Sequence, residues 1–298
     1  MSTEHTDSRD AMRGVATTFA LDTDIGTDVD DLLAVAMILG SGEAAVPLIT
    51  TVYGDAALRA RIAAAAFAAA GRPAPRIVAG RRETLSGREV WWPGHEGETI
   101  PDLDGYSAGA EGDAVAELAA SPRIAAIAPL TNIALAVESE QSEISQIVLM
   151  GGEFVQGVVE HNIRCDVDAA QRVFRSGVPV IAVGLDQTER VRLNREDLQA
   201  IGVAGPLGAL VAKEMARFWE FASQDYNVPH DPLAVLVLIR PDLFDLRRGT
   251  IAVDADGLTV FTASEDGPHR IVVDMDVEAA AHEIRSRILT GVAAIATA

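Results

Sequence analysis

Five carboxylates fall within ten residues near the start of the chain: Asp22, Asp24, Asp28, Asp30 and Asp31. A turn before a helix favours acids, because its free backbone N–H groups and the helix dipole attract negative charge. Capping accounts for one or two of the five. The others repel one another unless a cation neutralises them, and an all-oxygen donor set suits a hard divalent ion, Ca²⁺ or Mg²⁺. The His/Cys spacing of a zinc site is absent. Three later segments hold further polar groups at the ends of apolar runs. APLTNIALA carries Thr131 where a helix cap would sit, and GGEFVQGVVEHNIRCDVDAA carries Glu160, His161, Asn162 and Asp166 in a glycine-rich loop. VPHDPLAVL sets His230 beside Asp231. Taken singly, each reads equally well as a cap, a solvated loop or a core imidazole.

The elements that must carry these groups alternate regularly. Residues 19–24 are an apolar run, 26–31 a turn, and 32–40 have helical spacing closed by Gly40. Strands are predicted over 45–54, 76–80, 123–129, 145–152 and 178–185, with helices over 56–72, 113–120, 131–139 and 167–176. Strands apolar on both faces and separated by helices predict an α/β fold: an open, mostly parallel central sheet with helices on both faces. From residue 205 a C-terminal extension is predicted, with a long helix over 206–226, a helix or strand from 230, two or three strands within 249–273 and a helix over 276–294. One α/β domain is expected over 17–298 behind a disordered tail, 1–16. Open parallel sheets bind ligands at the carboxyl ends of their strands, so the loops after strands are where chemistry is expected.

Lys and Arg number 24 against 44 Asp and Glu, a net charge of −20 that argues against binding nucleic-acid phosphates or an anionic membrane. No targeting segment or bilayer-length apolar run is read. The single cysteine, Cys165, excludes an internal disulfide, and a cytoplasmic location is expected. The opening acidic segment also resembles the DxDxT motif of haloacid-dehalogenase-type phosphatases. That chemistry needs a lysine on the phosphate, and the one lysine, Lys213, falls inside the predicted 206–226 helix.

In their order along the chain, DTDIGTDVDDLLA, ITTVYGD, GHEG, PLTNIALA, IVLMGGEF, EHNIRCDVDAA and HDPLAV resemble the nucleoside hydrolase family of the inosine–uridine-preferring type. The resemblance implies one Ca²⁺ at the bottom of the site and hydrolysis of a ribonucleoside to ribose and base. It implies that Asp24 ligates the ion and acts as general base on a water held there. Asp31, Asp231 and the main-chain carbonyl of Thr131 complete the implied ligand set. Asp30 is implied to bind a ribose hydroxyl, Glu160 and Asn162 the sugar near its 5′ end, and His230 the leaving base, as an acid. Asp55 and His95 are carried over as substrate contacts. A neutral nucleoside substrate, a homodimer or homotetramer and a role in purine or pyrimidine salvage are expected.

The chain departs from the family pattern in three places. The family opening, DxDxGxDD, is two residues shorter, so aligning by the following helix matches Asp30 and Asp31 and leaves Asp28 as an alternative ligand. The family's asparagine after the second strand is Asp55 here, and the segment 152–160 is short and lacks an asparagine ahead of Glu160.

The chemistry suits these residue types. Breaking an N-glycosidic bond creates a cationic, oxocarbenium-like sugar and an anionic base, which call for carboxylates and a proton donor respectively. Direct attack by water predicts inversion at C1′, and no Ser–His or activated-Cys nucleophile is read. Cys165 is read as a bystander. Residues 91–106 are read as a lid whose Trp91, Trp92, His95 and Tyr106 meet a base or simply pack beneath the loop. Trp219 and Phe221 are read as core. A catalytically weakened relative that binds a nucleoside or sugar is the rival class, against which Asp24, Asp31, Asp231 and His230 occur together.

Overall fold

The fold is described by a computed structural model over residues 16–293. The chain opens with β1 (Thr17–Thr18), β2 (Ala20–Thr23), α1 (Asp30–Leu39), β3 (Ala44–Ala45), β4 (Leu48–Thr51), α2 (Ala56–Ala69) and β5 (Arg76–Ala79). After a long strap with a 3-10 turn at Leu103–Gly105 come α3 (Ala114–Ala119), β6 (Arg123–Ile127), α4 (Thr131–Val137), β7 (Gln146–Met150), α5 (His161–Cys165), α6 (Val167–Arg175), β8 (Val180–Val183) and α7 (Leu185–Thr188). The C-terminal part adds α8 (Arg195–Gly202), α9 (Pro206–Ala222), α10 (His230–Ile239), β9 (Phe244–Val253), β10 (Thr259–Ala263), β11 (His269–Met275) and α11 (Val277–Val292).

Nine strands form one sheet in the order β10-β9-β11-β8-β7-β6-β2-β4-β5. Every pairing is parallel except those of β9 with β10 and β11. Successive residues of a strand face opposite sides. Leu21 and Ile127 accordingly join one apolar cluster, with residues of α1, α2, α10 and α11, while Ala20 and Ala126 join another, with residues of α3, α4 and α6. Burial on both faces is why these strands read as continuous apolar runs.

The chain runs from β2 outward to β4 and β5, then crosses back to β6 on the other side of β2. This reversal opens a crevice at the carboxyl ends of β2 and β6, the position at which doubly wound sheets receive ligands. Helix α1 is held from behind by α11. A Cβ on Gly40 or Gly291 would collide with the backbone of Arg287 or Ala36, so glycine lets the two helices touch.

The C-terminal extension contains three strands, and β11 joins the main sheet beside β8, continuing it. Two expectations of extent are corrected. The helix expected over 206–226 ends at Ala222, where Ser223 takes a left-handed φ of 54°. Helices α5, α7 and α8 add to the predicted elements; α5 and α7 are about a turn long, whereas α8 carries a capping box of Asn194 and Asp197 that the sequence reading does not use. The expected tail, residues 1–16, lies outside the described residues except for residue 16. Among the described residues no helix is long and apolar enough to cross a membrane.

Candidate active site

A cavity of about 370 Å³ opens at the carboxyl ends of the central strands, within the usual range for small-molecule sites. Asp24, Asp28, Asp30 and Asp31 reach it from the loop after β2 and the start of α1. Ile127 at the end of β6 and Met150 at the end of β7 form its floor, Glu160, His161 and Asn162 enter from the start of α5, and His230 and Asp231 from the start of α10. Three helix N-termini thus converge on one space, and their dipoles favour the carboxylates they carry.

The acidic loop is built for presentation, with no side-chain cap on α1. Val29 occupies the cap position and its side chain makes no cap bond; Asp28 accepts from Val29 N and also faces the Asp30 amide at the start of the helix. Gly26 turns the chain at φ 123°, where a Cβ would press into Ile62. Asp22 lies below the cavity, accepting from the Thr50 hydroxyl at 2.6 Å and from Asn132 Nδ2 at 2.8 Å, with its second oxygen unpartnered. Asp31 accepts from the Thr23 hydroxyl.

Asp30, Asp31 and Asp231 are buried, and each offers an oxygen within 4.8 Å of the others. Oxygens bound 2.3–2.6 Å from a Ca²⁺ ion can lie up to ~5 Å apart, so these three carboxylates lie close enough together to share a hard divalent cation. Burial, reinforced by mutual repulsion, holds the carboxyls of Asp30, Asp31 and Asp231 well above the usual range and pushes Asp28 up to about 7. Asp24 is raised too, by burial against the opposing pull of Arg59, whose Nη2 lies 3.9 Å from its Oδ2. Arg59 behind the acidic loop and Arg164 at the cavity edge are too few guanidinium groups for so many buried acids, which leaves the site short of positive charge.

On the opposite wall Glu160 caps α5, accepting from Asn162 N (2.8 Å), Ile163 N (3.0 Å) and Gly152 N (3.2 Å). Burial raises its carboxyl while these donors oppose the shift. Asn162 Nδ2 donates to the Met150 carbonyl. His230 Nδ1 sits 2.7 Å from the Thr188 hydroxyl, and burial pushes the imidazole down to about 4. His161, given no role from sequence, lines the cavity and meets the edge of Trp91 at 5.4 Å.

Three carried-over residues are not brought to the cavity. Thr131 is the first helical residue of α4; its hydroxyl donates to Asp166 at 2.6 Å, and Ile127, earlier in the same connection, takes the lining position. Asp55 caps α2, accepting from Leu58 N at 3.1 Å, and borders a separate groove with Arg81 and Arg82. His95 is buried against Thr27, with Nε2 2.8 Å from its carbonyl oxygen.

Of the aromatic side chains in the expected lid, Trp91 lines the cavity, whereas Trp92 covers Arg59 and Tyr106 packs on the core. Phe221 is not core: it is half exposed and touches Trp91 and His95, whereas Trp219 is buried as expected. Burial pushes the Cys165 thiol up to about 12, which keeps it protonated. Asp55→Ala is therefore expected to lower stability by about 1 kcal/mol, the usual cost of a lost cap, while kcat/KM stays within about twofold; urea unfolding and initial rates check both.

The sequence profile of the inosine-uridine preferring nucleoside hydrolases matches residues 19–282. The chain belongs to that family. Uridine nucleosidase 1 of Arabidopsis thaliana is 28% identical over 278 residues, covering 80% of this chain and 79% of its own. The purine-preferring ribonucleoside hydrolase from Gardnerella vaginalis superposes with a TM-score of 0.81 at 27% identity, covering 92% of this chain and 99% of that one. A plant nucleoside hydrolase gives 0.79 at 26% identity with the same coverage. This nucleoside hydrolase is thus an enzyme acting on N-glycosyl bonds, and the phosphatase reading falls.

Proposed function

We propose that this nucleoside hydrolase cleaves ribonucleosides to ribose and base in a Ca²⁺-dependent reaction, with Asp24 as the general base. The observation that carries the reading is the set of carboxylates, Asp24, Asp30, Asp31 and Asp231, closing on a cavity that also holds Glu160, Asn162 and an uncharged His230. Asp24, Asp31 and Asp231 would hold the ion. Asp30, which shares that acidic cluster, would also bind a ribose hydroxyl, and a main-chain carbonyl ligand would come from Ile127, which lines the cavity at the end of β6, rather than from Thr131. When bound, the ion neutralises the acids, orients the sugar diol and makes a water easier to deprotonate.

Asp24 takes the proton of the attacking water, its carboxyl raised by burial toward the range useful for a base. Glu160 and Asn162 hold the sugar near its 5′ end. The surrounding carboxylates stabilise the positive charge that grows on the ribose ring as the bond to the base lengthens. The acid role calls for the His230 tautomer that carries its hydrogen on Nε2, with Nδ1 accepting from the Thr188 hydroxyl 2.7 Å away, so that Nε2–H meets the negative charge on the departing base. Trp91, His161 and Phe218 form the wall available to that base. A homodimer or homotetramer, a cytoplasmic location and a place in purine or pyrimidine salvage belong to the same proposal.

A panel of purine and pyrimidine nucleosides assayed for reducing-sugar release tests the reading. At least one should yield ribose, as the inverted anomer by NMR, with activity lost to EDTA and restored by Ca²⁺. No ribose from any nucleoside sinks it in favour of a binding protein. His230→Ala should cost about 10²–10⁴-fold on natural nucleosides and far less on a riboside with a good leaving group such as p-nitrophenolate. Equal losses on the two substrates exclude the acid role.

A further inference from the structure

Arg59 stands out because nothing in the proposed chemistry uses it. It belongs to α2, its side chain is fully buried, and it lies directly behind the acidic loop. Its Nε donates to the Tyr53 carbonyl at 2.7 Å, and its Nη1 to the main-chain carbonyls of Asp24 and of Ile25, the latter at 3.0 Å. Its Nη2 donates to the Thr27 hydroxyl at 3.3 Å. One guanidinium therefore joins the turn after β4, where Tyr53 holds a left-handed φ of 70°, to most of the loop after β2.

The strap closes over the same group. The Trp92 ring lies 4.9 Å from Arg59 Cζ, the Thr27 hydroxyl donates to Glu96 at 3.0 Å, and the Thr27 carbonyl meets His95.

We infer that Arg59 is a positioning residue, resting on the cation site proposed above: its forked guanidinium fixes the main chain of residues 24–27 so that Asp24 and the carboxylates of α1 face the cavity. Its charge and its shape act in opposite directions on a bound cation. A positive group 3.9 Å from Asp24 Oδ2 competes with the ion for that carboxylate. The fork, by contrast, pre-organises the ligands and so favours the ion. A lysine keeps the charge, but its single nitrogen cannot span the Tyr53 carbonyl, the Asp24 and Ile25 carbonyls and the Thr27 hydroxyl together as the fork does, and a methionine keeps neither.

Calorimetric titration of the purified full chain with Ca²⁺ alone separates the two effects. Arg59→Met and Arg59→Lys should both bind Ca²⁺ at least tenfold more weakly than wild type, with part of the lost kcat returning at high Ca²⁺. Tighter or unchanged binding in Arg59→Met, or full rescue by Arg59→Lys, overturns the positioning role. Should circular dichroism show the arginine variants unfolded, Trp92→Leu decides: at least threefold weaker Ca²⁺ binding is expected, and wild-type affinity overturns the inference. Wild-type protein that binds no Ca²⁺ overturns the cation site itself, whereas wild-type binding that the variants leave unaltered overturns only the role of Arg59.

Discussion

Asp24→Ala is expected to lower kcat by about 10⁴-fold or more, the combined size of a lost general base and a disturbed cation site. The substitution removes the proton acceptor and takes a carboxylate from the set that closes the cavity. It also leaves Arg59 buried without the acid it faces, a cost that falls on folding as well as on catalysis. Asp24→Asn separates these effects, since the amide keeps the shape and one ligand oxygen but accepts no proton at neutral pH. Ca²⁺ affinity in that variant should fall about tenfold, while kcat still falls by about 10³-fold or more. Steady-state rates at saturating Ca²⁺, paired with calorimetric titration, make the comparison. An Asp24→Asn enzyme retaining a tenth of wild-type turnover would falsify the base assignment.

Chelation should abolish turnover and also make the protein's stability fall with rising pH. The buried carboxyls of Asp24, Asp28, Asp30, Asp31 and Asp231 are raised by burial above their ordinary values near 3.8. Below that value folded and unfolded chains are both protonated and the shift costs nothing. Above it the unfolded chain has released protons that the folded chain still holds, so metal-free stability declines as pH rises. For Asp28 the decline runs from about 4 to about 7; for the groups raised well above the usual range it continues further.

A divalent ion takes the place of those protons, so Ca²⁺ should stabilise more at pH 8 than at pH 5. At about a hundred times its dissociation constant, a ligand adds about 2.7 kcal/mol, or about 4 °C in Tm for a chain of this size. Thermal melts with EDTA or Ca²⁺ at the two pH values measure the difference. Equal shifts at both, or a chelated protein that gains stability with pH, would contradict the cation site.

Much of the frame was legible because it rests on local patterning. Apolar runs followed by turns and amphipathic stretches identify β2, α1, β4, α2 and β6–β8, and with them the carboxyl ends where the acids sit. The adjacency of His230 and Asp231 at the start of an apolar helix was equally visible. What was missed depends on contacts distant in sequence. Arg59 sits in an alanine-rich helix and looks like a surface cation; the available signal was its place among Ala56, Ala60 and Ala63, the face α2 buries. His161 was seen but unassigned, because its part depends on Trp91, 70 positions earlier, crossing the cavity mouth. Thr131 and Asp55 had the right neighbours in sequence, yet Thr131 already lies in the first turn of α4 while Ile127 lines the cavity, and the Asp55 carboxylate turns to Leu58 N of α2. Both placements follow from where the next helix starts, which motif order does not record.

His230 and Asp231 are consecutive residues at the start of α10. Neighbours on a helix point about 100° apart, so one short segment sends Asp231 to the acidic cluster and leaves His230 on another part of the cavity wall, where the proposed role puts the leaving base. The helix is braced against α1 and β7, and a movement that seats one of the pair seats the other. Under the roles proposed above, nucleoside and cation are expected to bind cooperatively through the same helix. Whatever factor the nucleoside adds to the affinity for the ion, the ion adds to the affinity for the nucleoside, and at low calcium the enzyme is expected to bind its substrate poorly.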